Sequence, residues 1–304
     1  MSEIPPSRLL AASLPLPVRR HGFRTVWPAR RILRGKATLG LAPVFEGILR
    51  LSRAEARRLD AEALFADRLV QLEWLALLRR SHRAIRADMR SVAIPDAGLI
   101  ASVAAGAKPV LLAPLHMGCF ALPFAALIDR FFPGRPMLIL RAREDRPVET
   151  AVMRRIGELG VDMRFLNVRN RQDFLGAIRF ARAGATIVSF IDLPASYGAP
   201  FQTTLFGRPV QLALGIDQLA RLTEATVLPL AITSSLGGDV IHAGRPFEVA
   251  DNAPDTRRQV ADIVRRHIER SILRAPEQWF MWPRLDEYLH DAETSHNAMS
   301  GANA

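Results

Sequence analysis

The stretch Val110-Leu111-Leu112-Ala113-Pro114-Leu115-His116-Met117-Gly118-Cys119-Phe120 sets the reading of this chain. Its first six residues form a short apolar run, with the length and composition of a buried strand, which then gives way to a turn or helix. An imidazole at that junction is well placed to act as a general base. The competing reading is a packed or hydrogen-bonded core histidine, the ordinary fate of a lone His beside apolar residues. Cys119, the only cysteine of the chain, follows three residues later.

Working outward, the segment after Pro95 and Gly98 alternates short apolar runs with amphipathic stretches, the pattern of a mostly parallel sheet covered by helices. Strands are predicted over 109–114, 137–141, 162–166, 186–191 and 227–233, with an edge strand over 240–243. Helices are predicted over 119–131, 148–159, 172–183, 212–223 and 256–273. Phe132-Pro133-Gly134 and Ala183-Gly184 supply breakers between them, and Gly237-Gly238 suits a hairpin turn. Upstream, residues 52–90 carry Ala61, Phe65, Leu69, Leu72 and Ala76 at helical spacing. The fold class is therefore α/β, a mostly parallel or mixed central sheet flanked by helices, with a helical N-terminal layer. The organisation expected is a basic arm and helical layer over 1–95, the α/β core over 96–290, and a disordered tail over 291–304.

In open α/β sheets, ligands collect beyond the carboxyl ends of the strands. His116, Arg141 and Asp192 each stand at or just beyond a predicted strand end, so three separated segments converge on one region. Nothing resembles a glycine-rich phosphate loop of the Walker or dinucleotide type. The seven histidines are scattered without ligand spacing, so no metal or redox cofactor is expected.

The chain has 304 residues, 49% of them apolar, enough to bury a full core, and a net charge of +11 that favours anionic partners. Lys36 and Lys108 are the only lysines, so the positive charge is nearly all arginine. A single cysteine excludes an intrachain disulfide and fits a reducing compartment. No apolar run approaches the roughly 20 residues that span a bilayer, and the proline-rich start is a poor signal peptide. Arg19, Arg20, Arg30, Arg31 and Arg34 alternate with Phe23, Trp27, Ile32 and Leu33, a pattern suited either to an anionic membrane surface or to a solvated basic arm packed on its own domain. Nucleic acid is an unlikely partner, because no recognition module accompanies the basic charge.

The order of features over about 108–282 resembles the lipid A biosynthesis acyltransferases, the lauroyl and myristoyl transferases of the lysophospholipid acyltransferase-like superfamily. The resemblance is carried by Pro114-Leu115-His116-Met117-Gly118 and by Leu138-Ile139-Leu140-Arg141 followed by Arg146-Pro147. It continues through Ile191-Asp192-Leu193-Pro194-Ala195-Ser196-Tyr197-Gly198 and Leu205-Phe206-Gly207-Arg208-Pro209, and ends on Ala275-Pro276-Glu277-Gln278-Trp279-Phe280-Met281-Trp282. It implies an acyl group moving from an acyl carrier protein or coenzyme A thioester to a hydroxyl or amine acceptor, on the cytoplasmic side of the inner membrane. His116 matches the base of the family's H-x4-D/E motif, but Ala121 stands where the acid belongs. After the tryptophan, Pro283-Arg284-Leu285 replaces the family's basic segment.

Asp192 is the leading substitute for the missing acid, its alternative role being a cap on the following turn; Glu144 and Asp145 are weaker candidates. Arg141 and Arg146 are competing matches for an anion contact, and the backbone N–H groups of Gly118 and Cys119 are candidate oxyanion donors. Cys119 carries two readings. As a thiolate beside an imidazolium it could shuttle the acyl group covalently, and otherwise it is a small buried apolar residue. A homologue that kept the acyl pocket and lost turnover is the alternative to an enzyme.

Overall fold

The computed structural model describes residues 5–35, 38–141, 147–167 and 171–289. Arg146 and the tail expected over 291–304 lie outside the described residues. The helical layer runs α1 (Pro6–Ser13), α2 (Leu16–Arg34), α3 (Ala42–Leu49), α4 (Arg53–Arg79), α5 (His82–Met89) and α6 (Ala97–Ala105). There follow β1 (Val110–Pro114), α7 (Ala121–Phe131), β2 (Met137–Arg141), α8 (Pro147–Gly157), β3 (Met163–Asn167), α9 (Arg171–Arg182) and β4 (Thr186–Val188). The chain then continues through β5 (Pro200–Leu205), β6 (Arg208–Ala213), α10 (Ile216–Thr223), β7 (Thr226–Ser234), β8 (Asp239–Ala243) and α11 (Pro254–Arg274).

The main sheet has the order β3-β2-β4-β1-β7-β8. All its pairings are parallel except β7 with β8, which form a hairpin closed from Ser235 to Gly238. Every residue of β1 is buried, as a central strand covered on both faces requires. Leu111 and Ala113 face the core that includes Ile187, Val227 and Trp282, while Val110 and Leu112 face the opposite core with Leu127, Val188 and Leu228. The predicted α/β architecture with a helical N-terminal layer is what the structure contains.

Besides a strand predicted over 186–191 that ends at Val188, two regions differ from expectation. The predicted helix over 212–223 starts only at Ile216, and its first residues close a separate antiparallel pair, β5 with β6. Val210, Leu212 and Leu214 are buried at alternate positions before the spacing shifts to Ile216, Leu219 and Ala220, so the period changes inside one apolar stretch. The predicted layer over 52–90 is correct but incomplete. A capping box between Ser52 and Glu55 starts α4, and α1, α2 and α3 precede it.

The basic arm is also not solvated throughout. Arg19 donates to Glu73 at 2.8 Å and to Asp88 at 2.8 Å. Arg20, which has no solvent exposure, forks onto Asp239 with two bonds of 2.9 Å and reaches Glu73 at 3.1 Å. Burial works against the Glu73 carboxylate, but the guanidiniums of Arg20 and Arg19 outweigh it and hold its pKa below the usual range. At Asp239 burial wins and the pKa rises despite Arg20. This cluster ties α2 to α4, α5 and the β8 hairpin, so neither Arg19 nor Arg20 is available to a membrane surface.

Removing one partner of such a buried group leaves charges without compensation, at a cost of about 3–5 kcal/mol. Arg20→Met is therefore expected to lower the urea midpoint by a corresponding amount with an unchanged m-value. A midpoint equal to that of the parent would show that the cluster does not hold the N-terminal layer in place.

Candidate functional site

Adjacent parallel strands bring His116 and Asp192 together. β1 and β4 are paired with Leu112 opposite Val188, and the ladder runs on past β4 through Ser189 N–H to Leu112 O at 3.0 Å and Ile191 N–H to Pro114 O at 3.2 Å. The residues that follow each strand end thus emerge side by side at the carboxyl edge of the sheet. His116 Nδ1 lies 2.8 Å from Asp192 Oδ1, and His116 N–H donates to Oδ2 at 2.7 Å. A carboxylate only accepts, so in the neutral ring the proton sits on Nδ1 and the lone pair on Nε2.

The carboxylate is fully buried, while the imidazole remains 27% exposed. Phe190 stacks on the ring with centroids 4.0 Å apart, and Phe120 meets Phe190 edge-on at 5.8 Å. These contacts fix the plane of the imidazole. Burial, tautomer and ring plane are set by three different segments.

The segment after α11 closes the site from above. Trp279 Nε1–H donates to Asp192 Oδ2 at 2.8 Å and Tyr288 O–H to the Asp192 carbonyl at 2.5 Å. Phe280 N–H donates to His116 O at 2.9 Å, and Gly118 N–H to Gln278 O at 3.2 Å. The Gln278 amide is in turn held by Ser234, accepting from its N–H at 2.7 Å and donating to its carbonyl at 2.9 Å. Trp279 is packed, at 2% exposure, and its indole N–H is also a direct partner of Asp192. The Pro-Glu-Gln-Trp segment was the available signal, though nothing in its sequence says which group it contacts.

Gly118 and Cys119 are placed differently from expectation. The Gly118 N–H is taken by Gln278 O, and the Cys119 N–H donates to Ser234 Oγ at 2.8 Å, so both are engaged within the protein instead of facing a substrate oxyanion. Gly118 has φ of +65°, and an added Cβ would lie 2.5 Å from Ile232 O, so the turn there admits only glycine. The Cys119 side chain is buried with Phe65, Leu69 and Leu72 and is not among the residues lining the cavity beside His116. Burial pushes its thiol up to about 12, against the pull of Arg20. A shuttle needs an accessible thiolate, and this position offers neither access nor ionisation. Arg141 is the last residue of β2, at the predicted strand end.

His116 lines a cavity of about 1270 Å³, larger than a typical small-ligand pocket. Toward α7 and α8 its wall is mainly apolar, built from Phe124, Ile139, Val152, Met153 and Val188, with Glu149 of α8 the charged exception. Toward α10 and the turn after Asp192 it adds Ser189, Ser196, Tyr197 and Gln218. Arg284 stands on the lining too, donating to Tyr197 Oη at 2.7 Å and held by Glu287, whose carboxylate raises the guanidinium pKa further. Among the described residues, no group of three or more His, Cys, Asp and Glu side chains could hold a metal ion.

Two outcomes follow from this geometry. Native protein at pH 8 should leave Cys119 unmodified by a thiol reagent, with stoichiometric labelling only after unfolding; rapid native labelling would contradict its burial. Trp279→Phe keeps an aromatic ring and removes one donor to Asp192, and is expected to lower kcat about 5- to 30-fold, equivalent to roughly 1–2 kcal/mol, with KM nearly unchanged. A rise in KM alone would instead mark Trp279 as a substrate contact.

The family model described as bacterial lipid A biosynthesis acyltransferase matches residues 69–285. No curated protein matches the chain at a significant level. The matched span runs from inside α4 through all strands of the sheet to Leu285, and includes His116, Asp192 and Trp279. Over that span, which is more than half of its length, the chain belongs to the bacterial lipid A biosynthesis acyltransferase family.

Proposed function

We propose that this acyltransferase moves an acyl group from an acyl carrier protein or coenzyme A thioester to a hydroxyl or amine of a lipid acceptor, with His116 as general base. One observation carries the reading. An imidazole on the wall of a large, partly apolar cavity is hydrogen-bonded through Nδ1 to a fully buried carboxylate, which leaves Nε2 as the free basic nitrogen.

The steps follow from that arrangement. Nε2 accepts the proton of the acceptor hydroxyl or amine as its oxygen or nitrogen attacks the thioester carbonyl carbon. Asp192 holds the ring in the Nδ1–H tautomer and stabilises the imidazolium that forms. The tetrahedral intermediate then collapses, the C–S bond breaks, and the departing thiolate takes the proton back from Nε2. The products are the ester or amide and the free thiol, and the base is regenerated. The apolar wall beneath α7 and α8 suits the acyl chain; the wall carrying Ser189, Ser196 and Gln218 suits the more polar acceptor.

In this reading Asp192 replaces the carboxylate that Ala121 lacks. The acid comes from the segment after the neighbouring strand β4 instead of from the helix that follows the histidine. The N–H groups of Gly118 and Cys119 take no part as oxyanion donors. Arg141, at the end of β2, is the anion contact proposed for a phosphate of donor or acceptor.

The test is transfer of a labelled acyl group from carrier protein or coenzyme A to lipid acceptors. His116→Ala is expected to reduce turnover by at least about 10³-fold, and Asp192→Asn by about 10²- to 10⁴-fold through loss of the correct tautomer. Turnover of His116→Ala equal to that of the parent would reject the base. Saturable thioester binding by the parent with no turnover would favour a binding protein that has kept the pocket.

A further inference from the structure

The buried ionic cluster and the turn that carries His116 meet at one residue. Ser234 is the last residue of β7 and stands opposite Asp239 across the β7–β8 hairpin. Burial raises the Asp239 pKa, and the Arg20 guanidinium and the Ser234 hydroxyl, both bonded to that carboxylate, work against it. A hydroxyl has one proton to give and the carboxylate only accepts, so the proton of Ser234 is directed to Asp239. Its Oγ lone pairs are left for the other side, where Oγ accepts from Cys119 N–H at 2.8 Å.

The backbone of Ser234 holds the second half of the same turn. Its N–H and its carbonyl engage both ends of the Gln278 amide, at 2.7 and 2.9 Å, and Gln278 O accepts from Gly118 N–H. Gly118 and Cys119 are therefore both fastened to Ser234, one through Gln278 and one through the hydroxyl. A bridge between Met117 and Trp279 and the bond from Phe280 N–H to His116 O carry that register back to His116.

Arg20 decides where Ser234 stands. Besides its fork on Asp239, its Nη1 donates to Ser235 O at 2.8 Å, so one buried guanidinium of α2 grips both sides of the hairpin turn. None of Arg20, Asp239, Ser234 and Gln278 lines the cavity, so they act on the site only through the backbone of residues 116–119. Small displacements matter there, because misplacing a reacting group by about 1 Å costs on the order of 10²-fold in rate. We infer that Ser234 is a positioning residue for acyl transfer, through which the buried Arg20–Asp239 pair sets the place of His116 opposite Asp192. The N-terminal helical layer is then part of the device that orients the base, and not only a cover for the sheet. This deepens the acyl-transfer reading, on which it rests for turnover, while the nitrogen signals of the His116 ring give a measure that needs none.

The experiment compares Ser234→Ala, Ser234→Thr, Arg20→Met and Asp88→Asn with the parent, each at a temperature at which circular dichroism shows it fully folded. Ser234→Ala is expected to lower kcat about 10- to 100-fold with KM within about twofold of the parent, and Ser234→Thr, which keeps the hydroxyl, to recover most of the loss. Arg20→Met should lower kcat in the same way. The Asp88 carboxylate pairs with Arg19 and Arg80 and, among the described residues, with none of the hairpin. Asp88→Asn should therefore lower the melting temperature and leave kcat unchanged. In a proton–nitrogen correlation spectrum the His116 ring should lose its single-tautomer shifts in Ser234→Ala and regain them in Ser234→Thr. Parental kcat and ring shifts in Ser234→Ala overturn the inference, as does a loss that falls wholly on KM or one that Asp88→Asn reproduces. Parental turnover in His116→Ala would reject the base and leave the ring shifts to decide the positioning, so the two readings fail separately.

Discussion

The hydrogen bond from His116 Nδ1 to the buried carboxylate of Asp192 is the constraint that the rest of the site serves. A carboxylate with no solvent access is costly unless each oxygen is matched by donors. Here the backbone and ring of His116 supply two and the indole of Trp279 a third. The adjacency of β1 and β4 places the two residues within reach, and the segment after α11 locks them through Gln278, Trp279, Phe280 and Tyr288. Residues more than 150 positions apart in sequence therefore define one ring orientation. The acid that supports the base is a product of strand order, and does not depend on the helix that follows the histidine.

A second constraint acts between the N-terminal helices and the β8 hairpin. The Arg19, Arg20, Glu73, Asp88 and Asp239 cluster occupies space where an apolar core would be simpler, and buried ion pairs add little net stability for the desolvation they require. What the cluster does fix is which face of α2 points inward. With the arginines committed to the interior beside Leu16, Phe23 and Trp27, only Val18, Val26, Ile32 and Leu33 among the larger apolar residues of α2 are left outward. The same helix thus couples a directional internal anchor to an external surface that a packed amphipathic helix would not present.

Much of this was legible in the sequence. The apolar run ending at His116 gave β1, and the alternation of runs and amphipathic segments gave the sheet with its covering helices, because a strand buried on both faces has little freedom to be anything else. His116 and Asp192 were recognisable together because each follows the carboxyl end of a strand of that pattern. The β5–β6 pair was not, since Leu212 and Leu214 merge into the apolar face of α10 and only three-dimensional pairing reveals the change of period. The inward direction of Arg19 and Arg20 was also hidden: their acids lie on three distant elements, and a run of arginines reads the same whether it meets water or carboxylates. Trp279 was visible as part of a characteristic segment, but its contact with Asp192 is set by the folding of the chain end over β1. Of the two readings open for Cys119, the small buried residue is the one the structure contains, and its nearness in sequence to His116 does not bring it into the cavity.

The most direct test of the central claim is the tautomer of His116, read from the nitrogen shifts of its imidazole in a long-range proton–nitrogen correlation spectrum at neutral pH, with His116→Gln used to assign the signals. The account predicts a protonated Nδ1 and an unprotonated Nε2 in the parent, and loss of that preference in Asp192→Asn. A proton resident on Nε2, or a tautomer unaffected by removing the Asp192 charge, would contradict it.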